Sequence, residues 1–293
     1  MLTLAESAKL TQDQLRAGVI ETIIEESPML RYLRWLDVQG NSFAYNQEAT
    51  LSGAQFYPVN ALWTEGTMTF TRKTASLAIL GGDADVDNFI HRTRSRETDQ
   101  RAVQTAAKAK DVSRKWEQTT INGAVATDAN SFDGLATLAV AGQTITAGAN
   151  GAALTLALLD QLVDAVKGGK PHLLLMSKRT RRALKALLQA SAHYVEQGAD
   201  QFGRQVMFYD GIPVEVSDYQ PDTETQGSSN LASSIYALQF SDADGLVGLT
   251  NGGLDVIDVG QLESKDASRV RLRWYVGLAL LRDSAIARLK GVL

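Results

Sequence analysis

The chain has 293 residues, 44% of them hydrophobic and 21% charged, with no cysteine and a net charge of −4. These values permit one large or two modest globular domains with real cores. They exclude disulfides and thiolate metal sites, and no run of about 18 apolar residues is present to cross a membrane as a helix.

Charge is unevenly spread: residues 91–118 carry eight Lys/Arg against four Asp/Glu, while residues 199–266 carry two against twelve. That pattern suits a face turned toward a polyanion, and a solvated helix face equally well. The opening Met1-Leu2-Thr3-Leu4-Ala5-Glu6 has no basic segment before an apolar one, so no secretion signal is expected.

Residues 2–26 place Leu4, Leu10, Leu15, Val19, Ile20, Ile23 and Ile24 partly at helical spacing before Ser27-Pro28, as an N-terminal amphipathic helix or arm would. The next piece, 29–36, is rich in Leu, Tyr and Trp; it is either core or an anchor on another subunit. From 41 to 80 the period becomes two, with Phe43 and Tyr45 and later Met68 and Phe70 alternating with polar residues, which predicts two strands of a hairpin. Between them Gly53, Pro58 and Gly66 mark a tip that also carries Phe56, Tyr57, Leu62 and Trp63. Large apolar side chains at a hairpin tip are costly in water. Resting on a neighbour they gain about 25 cal/mol per Å² of apolar area covered, and the alternative is a loop folded onto its own domain.

Residues 87–121 contain no Pro or Gly and predict one long helix, roughly 50 Å end to end. The acidic 83–87 run suits its N-terminus, and Asn122-Gly123 its end, with glycine in the left-handed conformation. Its middle, 91–101, is almost wholly polar, as on a helix lying along a surface or between bodies.

Beyond it, Ser131-Phe132-Asp133-Gly134-Leu135 suggests a turn into a new unit. Leu154, Leu158, Leu159, Leu162, Val163 and Val166 predict an amphipathic helix closed by Gly168-Gly169. A buried strand is expected at 172–176, then a helix over 178–189 capped by Ser177. Strands 205–209 and 212–216 flank Asp210-Gly211, the strongest hairpin signal, and 217–230 is loop-like. Further strands are expected at 235–240, 246–250 and 254–259, and a last long strand or pair runs from Arg269 toward Leu289. The sum is an α+β chain.

Catalytic signals are poor. His91, His172 and His193 lie far apart without metal-ligand spacing, and Asp83-x-Asp85-x-Asp87 and Asp242-x-Asp244-Gly245 lack the rest of a Ca²⁺ loop, so capping and turn roles are expected for them. No phosphate-binding glycine motif opens a helix. No metal, cofactor or catalytic residue is expected. The basic run Lys178-Arg179-Thr180-Arg181-Arg182 with Lys185 could contact phosphates, but no aromatics interleave it, and an exposed helix face is the plainer reading.

Taken in order, the arm, the aromatic-tipped hairpin, the polar long helix, Phe132-Asp133-Gly134-Leu135, Leu173-Leu174-Leu175-Met176-Ser177, Tyr209-Asp210-Gly211-Ile212-Pro213-Val214, Arg273-Trp274-Tyr275-Val276-Gly277 and Ala287-Arg288-Leu289-Lys290-Gly291-Val292 resemble the major capsid proteins of tailed bacteriophages, the Hong Kong 97 fold. The resemblance covers nearly the whole chain.

It implies an N-terminal arm over 1–40, an E-loop hairpin over 41–82, a peripheral (P) domain from 83–132 and 261–293, and an axial (A) domain from 133–260. It further implies pentamers and hexamers of one chain closing an icosahedral shell around double-stranded DNA, in a virion assembled in the host cytoplasm, without catalysis. Phe56, Tyr57, Leu62 and Trp63 would then lie on an adjacent subunit. Arg92, Arg94, Arg96, Arg101 and Lys108 would face the genome, modest in charge so that the DNA is not held too firmly.

Portal and decoration proteins are possible partners on this reading. With the arm starting close to Met1, a separate scaffolding protein or none is expected. Lys73 lies near the hairpin base, so the lysine–asparagine crosslink of some relatives is not expected. Two other readings remain: an encapsulin-like shell loaded with cargo protein, and a soluble α+β enzyme with a ligand-sized pocket.

Overall fold

A computed structural model describes residues 27–50, 52–94, 100–190, 196–199 and 205–293. The expected arm over 2–26 lies outside them. The first described element, α1 (Pro28–Tyr32), leads into β1 (Arg34–Asp37). Met29 and Leu33 are buried, so this segment belongs to the chain's own core and is no anchor for another copy.

A four-stranded sheet has the order β1–β12–β13–β4, with β4 spanning Ala78–Asp87, β12 Leu246–Gln261 and β13 Ala267–Leu280. β1 runs parallel to β12 and the other pairs are antiparallel. Two expectations change here. The Gly81–Asp87 run is itself strand, the end of β4, and helix begins directly after it at Asn88. Asp83 and Asp85 alternate with Ala84 and Val86 along β4 and stand opposite Arg271 and Arg269, so the period-two pattern and the facing arginines decide. Only Asp87 caps, its Oδ1 accepting from the Phe89 and Ile90 amides at 2.8 and 3.4 Å. The strands expected at 246–250 and 254–259 are one strand, β12, which bulges at Asn251-Gly252-Gly253, where both glycines take positive φ. β1 holds the bulge: Asn251 donates to the Val38 carbonyl at 2.7 Å and the Gly252 amide to Asp37 at 3.2 Å.

The hairpin forms as expected from β2 (Ser42–Thr50) and β3 (Thr69–Ser76), in a two-stranded sheet of its own. Its base is fastened to the body by Gln47, which donates to the Leu280 carbonyl at 2.9 Å, and by Lys73, which pairs with Asp283 at 2.8 Å.

Helix is present at α2 (Asn88–Arg94) and α3 (Gln100–Asn122); residues 95–99, on which the continuity of the expected single helix turns, lie outside the described residues. Gly123 ends α3, but not in the left-handed conformation. It is needed for close approach, since a Cβ there would stand 2.4 Å from the carbonyl oxygens of Thr119 and Phe132.

A short helix α4 (Leu135–Leu138) enters an eight-stranded sheet ordered β5–β14–β11–β6–β9–β8–β7, with β10 on β11. These strands are β5 (Thr144–Thr146), β6 (Leu173–Met176), β7 (Glu196–Ala199), β8 (Gln205–Tyr209), β9 (Ile212–Val216), β10 (Glu224–Gln226), β11 (Ser229–Leu238) and β14 (Ile286–Val292). β10 interrupts the stretch expected to be loop. Asp210 and Gly211 both take positive φ, the paired left-handed turn that an Asp-Gly hairpin favours. One face of this sheet packs on α5 (Leu156–Ala165) and α6 (Lys178–Ala190) through Leu159, Leu162, Leu184 and Leu188. The other joins the four-stranded sheet in a single cluster that includes Trp116 and Ile121 of α3, Leu173, Leu175, Tyr236, Leu272 and Trp274. The final apolar run is therefore two strands, β13 and β14, one in each sheet.

Candidate assembly surfaces

The hairpin tip is ordered by its own contacts. The Tyr57 and Trp63 rings stack with centroids 4.6 Å apart, the Tyr57 hydroxyl lies 2.8 Å from Thr64 Oγ1, and the Thr64 amide donates to it at 3.1 Å. Asn60 at positive φ and the Ala61 amide donating to the Pro58 carbonyl at 3.2 Å close the turn. Around this clasp Phe56, Leu62 and Trp63 are 106%, 96% and 82% exposed. They are not folded onto the body. Val59, exposed to 92%, belongs with them and was missed in the sequence, although its place beside Pro58 at the turn is the signal that finds it.

The sheet face turned away from α3 carries a ladder of ion pairs. Arg269 binds Asp85 through two hydrogen bonds of 2.6 and 2.8 Å, Arg271 binds Asp83 through two of 2.7 and 2.8 Å, and Arg273 reaches Asp255 at 3.0 Å. Lys265 adds a contact to Asp85 at 2.8 Å, and Arg269 one to Asp83 at 3.0 Å. These hydrogen-bonded guanidinium partners hold the Asp83 and Asp85 carboxyls below the usual carboxylate range. Ile79 (opposite Tyr275) and Ile257 (opposite Arg271) sit on the same face, both exposed.

The five cations expected on the long helix do not share one fate. Arg92 is exposed on α2. Arg94 lies at the end of α2, and Arg96 lies outside the described residues. Arg101 pairs with Asp258 of β12 at 2.7 Å, and the Lys108 side chain lies across Gly82 of β4. Those two are drawn onto the sheet. The exposed cations of α3 are instead Lys110, Arg114 and Lys115, nearer its C-terminal end.

Where α3 crosses between the sheets, Glu117 is 2% exposed. It accepts from the Ser217 hydroxyl, the Ser27 hydroxyl is beside it, and burial pushes its carboxyl up to about 7.

His172 and the Asp242–Asp244 run occupy structural positions. His172 Nδ1 accepts from the Phe240 amide at 3.1 Å, Asp242 meets Arg34 at 3.4 Å, and Asp244 meets Arg282 at 3.0 Å. His193 lies outside the described residues. Among the described residues no three His, Asp or Glu side chains are placed to hold a metal, and no helix is long and apolar enough to cross a membrane.

Comparison with known proteins accounts for this architecture. No curated protein matches the sequence. Solved structures match over most of the chain: the holo-SrpI encapsulin complex from Synechococcus elongatus PCC 7942 at 22% identity, covering 91% of this chain and 88% of that one with a TM-score of 0.72. The capsid of a native GTA particle follows at 16% identity, 92% and 91% coverage and a TM-score of 0.67. The structure for Microbacterium phage Oxtober96 gives 15%, 90% of each chain and 0.65. These likenesses establish the fold. The family described as SU10 major capsid protein matches residues 71–292, from the returning strand of the hairpin through both sheets to the C-terminal strand. The chain belongs to the SU10 major capsid protein family and is a major capsid protein of the tailed-bacteriophage type, built on the Hong Kong 97 fold.

Proposed function

We propose that this capsid protein assembles as pentamers and hexamers into a closed icosahedral shell around double-stranded DNA, with the hairpin tip of each copy seated on an adjacent copy. The observation that carries this is the tip itself, where Phe56, Val59, Leu62 and Trp63 stand almost fully in solvent at the far end of a two-stranded ribbon. Burying such side chains against a sister chain gains roughly 1.5–3 kcal/mol apiece. The ladder of Arg269, Arg271 and Arg273 stabilises the sheet on which the ribbon is based, and no catalysis is needed for this role. A recess of about 870 Å³ is lined by Arg31, Arg34 and Lys170, which meet Glu215, Asp242 and Asp210, and by His172, which accepts from a backbone amide.

Sheet membership suggests the domain boundaries. The peripheral unit would take β1, β4, α2, α3, β12 and β13, and the axial unit 133–245 with β14. The helix side of the peripheral unit, including Arg92 and the outer face of α3, would turn toward the packaged DNA, and assembly would take place in the host cytoplasm.

Deleting residues 53–63 tests the reading. The variant should keep the wild-type circular dichroism spectrum and melting point yet form no shells by electron microscopy. Normal particles from it would overturn the role of the tip. An encapsulin-like shell is a second reading, favoured by the TM-score of 0.72 to the SrpI encapsulin; purified particles would then hold cargo protein in place of nucleic acid.

A further inference from the structure

Helix α6 contains five Lys/Arg and no acidic residue, in a chain whose net charge is negative. Thr180, Leu184 and Leu188 form its buried stripe. Lys178, Arg181, Arg182 and Lys185 lie beside that stripe at the spacing of one helical face, and all four are exposed. They span about 10 Å of helix.

Arg179 is engaged elsewhere, donating to the Val292 carbonyl at 3.2 Å and meeting Asp222 at 3.5 Å. Lys178 touches Asp218 at 2.6 Å, but both side chains are about two-thirds exposed, so a stronger anion can replace that partner. The side chains of Arg181, Arg182 and Lys185 make no ion pair or hydrogen bond with any described residue. Next to the first turn of α6 is a recess of about 380 Å³ whose lining includes Arg114, Lys178, Arg181 and Tyr219 together with the carboxylate of Asp218, and which links this face to the end of α3. Glu117, also in the lining, is buried and bonded to the Ser217 hydroxyl.

Solvated helix faces usually mix the two signs, which lowers their self-repulsion. This face carries one sign, and the side chains of Arg181, Arg182 and Lys185 have no ion-pair partner among the described residues. We propose that the outer face of α6, continued across the recess to Arg114, is a sequence-independent binding site for the phosphate backbone of double-stranded nucleic acid. The proposal rests on the shell reading above and assigns the DNA contact to different residues from those of the α2 region. A protein partner fits less well, because between Lys178 and Gln189 this face offers only Ala186 as apolar surface and no aromatic anchor. Single strands fit less well too, since α6 itself carries no ring and Tyr219 of the recess is a single stacking platform, too few for a run of bases.

The full-length protein should bind a short mixed-sequence DNA duplex with an affinity that falls linearly on a log–log plot against salt, because each phosphate contact releases counterion. Combining Arg181→Gln, Arg182→Gln and Lys185→Gln should lower the magnitude of that slope by about 2–3 and weaken binding at low salt by at least about tenfold. Should that triple variant fail to fold, Arg182→Gln with Lys185→Gln should still lower the slope by about 2. A control combining Arg34→Gln, Lys170→Gln and Lys265→Gln removes the same charge elsewhere and should leave the slope nearly as it was.

An unchanged slope in the α6 variants, an equal loss in the control, or equal affinity for polyglutamate would each overturn the site. Electron microscopy of the same preparations keeps the two readings apart. Shells formed by an α6 variant whose slope is unchanged would sink this site alone, while absence of shells from the wild-type chain would sink the reading beneath it.

Discussion

Trp35, Trp116 and Trp274 come from β1, α3 and β13 and meet with ring centroids 5.2–6.0 Å apart, so a single residue of the helix is wedged between two strands of the sheet. Trp116 is 1% exposed, and Trp116→Ala should lower the denaturant-derived stability by about 3–5 kcal/mol through the cavity it leaves. Its neighbour Glu117 sets a pH dependence. Its folded pKa of about 7 lies above the usual carboxylate value, so the protonated acid is the form the fold favours. That contribution is complete below about pH 4.5 and is lost as pH rises through 7, by a few kcal/mol at most. Asp83 and Asp85 have the opposite sign, since their depressed pKa values mean stability lost only as pH falls below the ordinary carboxylate range. Melting points of Glu117→Gln between pH 5 and 8 should be flatter than those of the wild type. Trp116 could be placed on core from its spacing with Val112 and Ile121, whereas nothing in the sequence marks Glu117 as buried, because its partners Ser27 and Ser217 come from distant parts of the chain.

Among the elements, the hairpins, the two amphipathic helices α5 and α6 and the buried strand β6 were legible because period and turn residues agree locally. Errors arose where one local pattern served two structures. Asp83-Ala84-Asp85-Val86-Asp87 suits a helix N-terminus by charge and a strand by alternation, and only the facing Arg269 and Arg271 decide between them. Likewise Gly252-Gly253 looks like a break between strands, yet β12 continues past it because β1 supplies the missing hydrogen bonds. The ribbon tip was readable from its large apolar residues among turn formers, and Val59 shows how the same logic extends. The cations were the hardest to read: Arg101 and Lys108 look free in the sequence and are held on the sheet, while Arg181, Arg182 and Lys185 look ordinary and are left open.

For the whole molecule, one cluster takes in Leu272 and Trp274 of the four-stranded sheet and Leu173, Leu175 and Tyr236 of the eight-stranded one, bridged by α3. The two sheets share this core, so neither can lose it without exposing the other. Scanning calorimetry of unassembled subunits should therefore give one endotherm, and two well-resolved peaks would contradict a shared core. The β2–β3 ribbon stands apart from that cooperativity: its pairing is confined to two strands, too few for independent stability. In a dissociated subunit its amides, along 42–50 and 69–76, should exchange with deuterium far sooner than those of β6 or β13, and become protected on assembly. What the isolated chain has at its extremity is thus a limb that is shaped from within but left uncovered, so a solution of free subunits can remain unaggregated only while few of those limbs have found a seat.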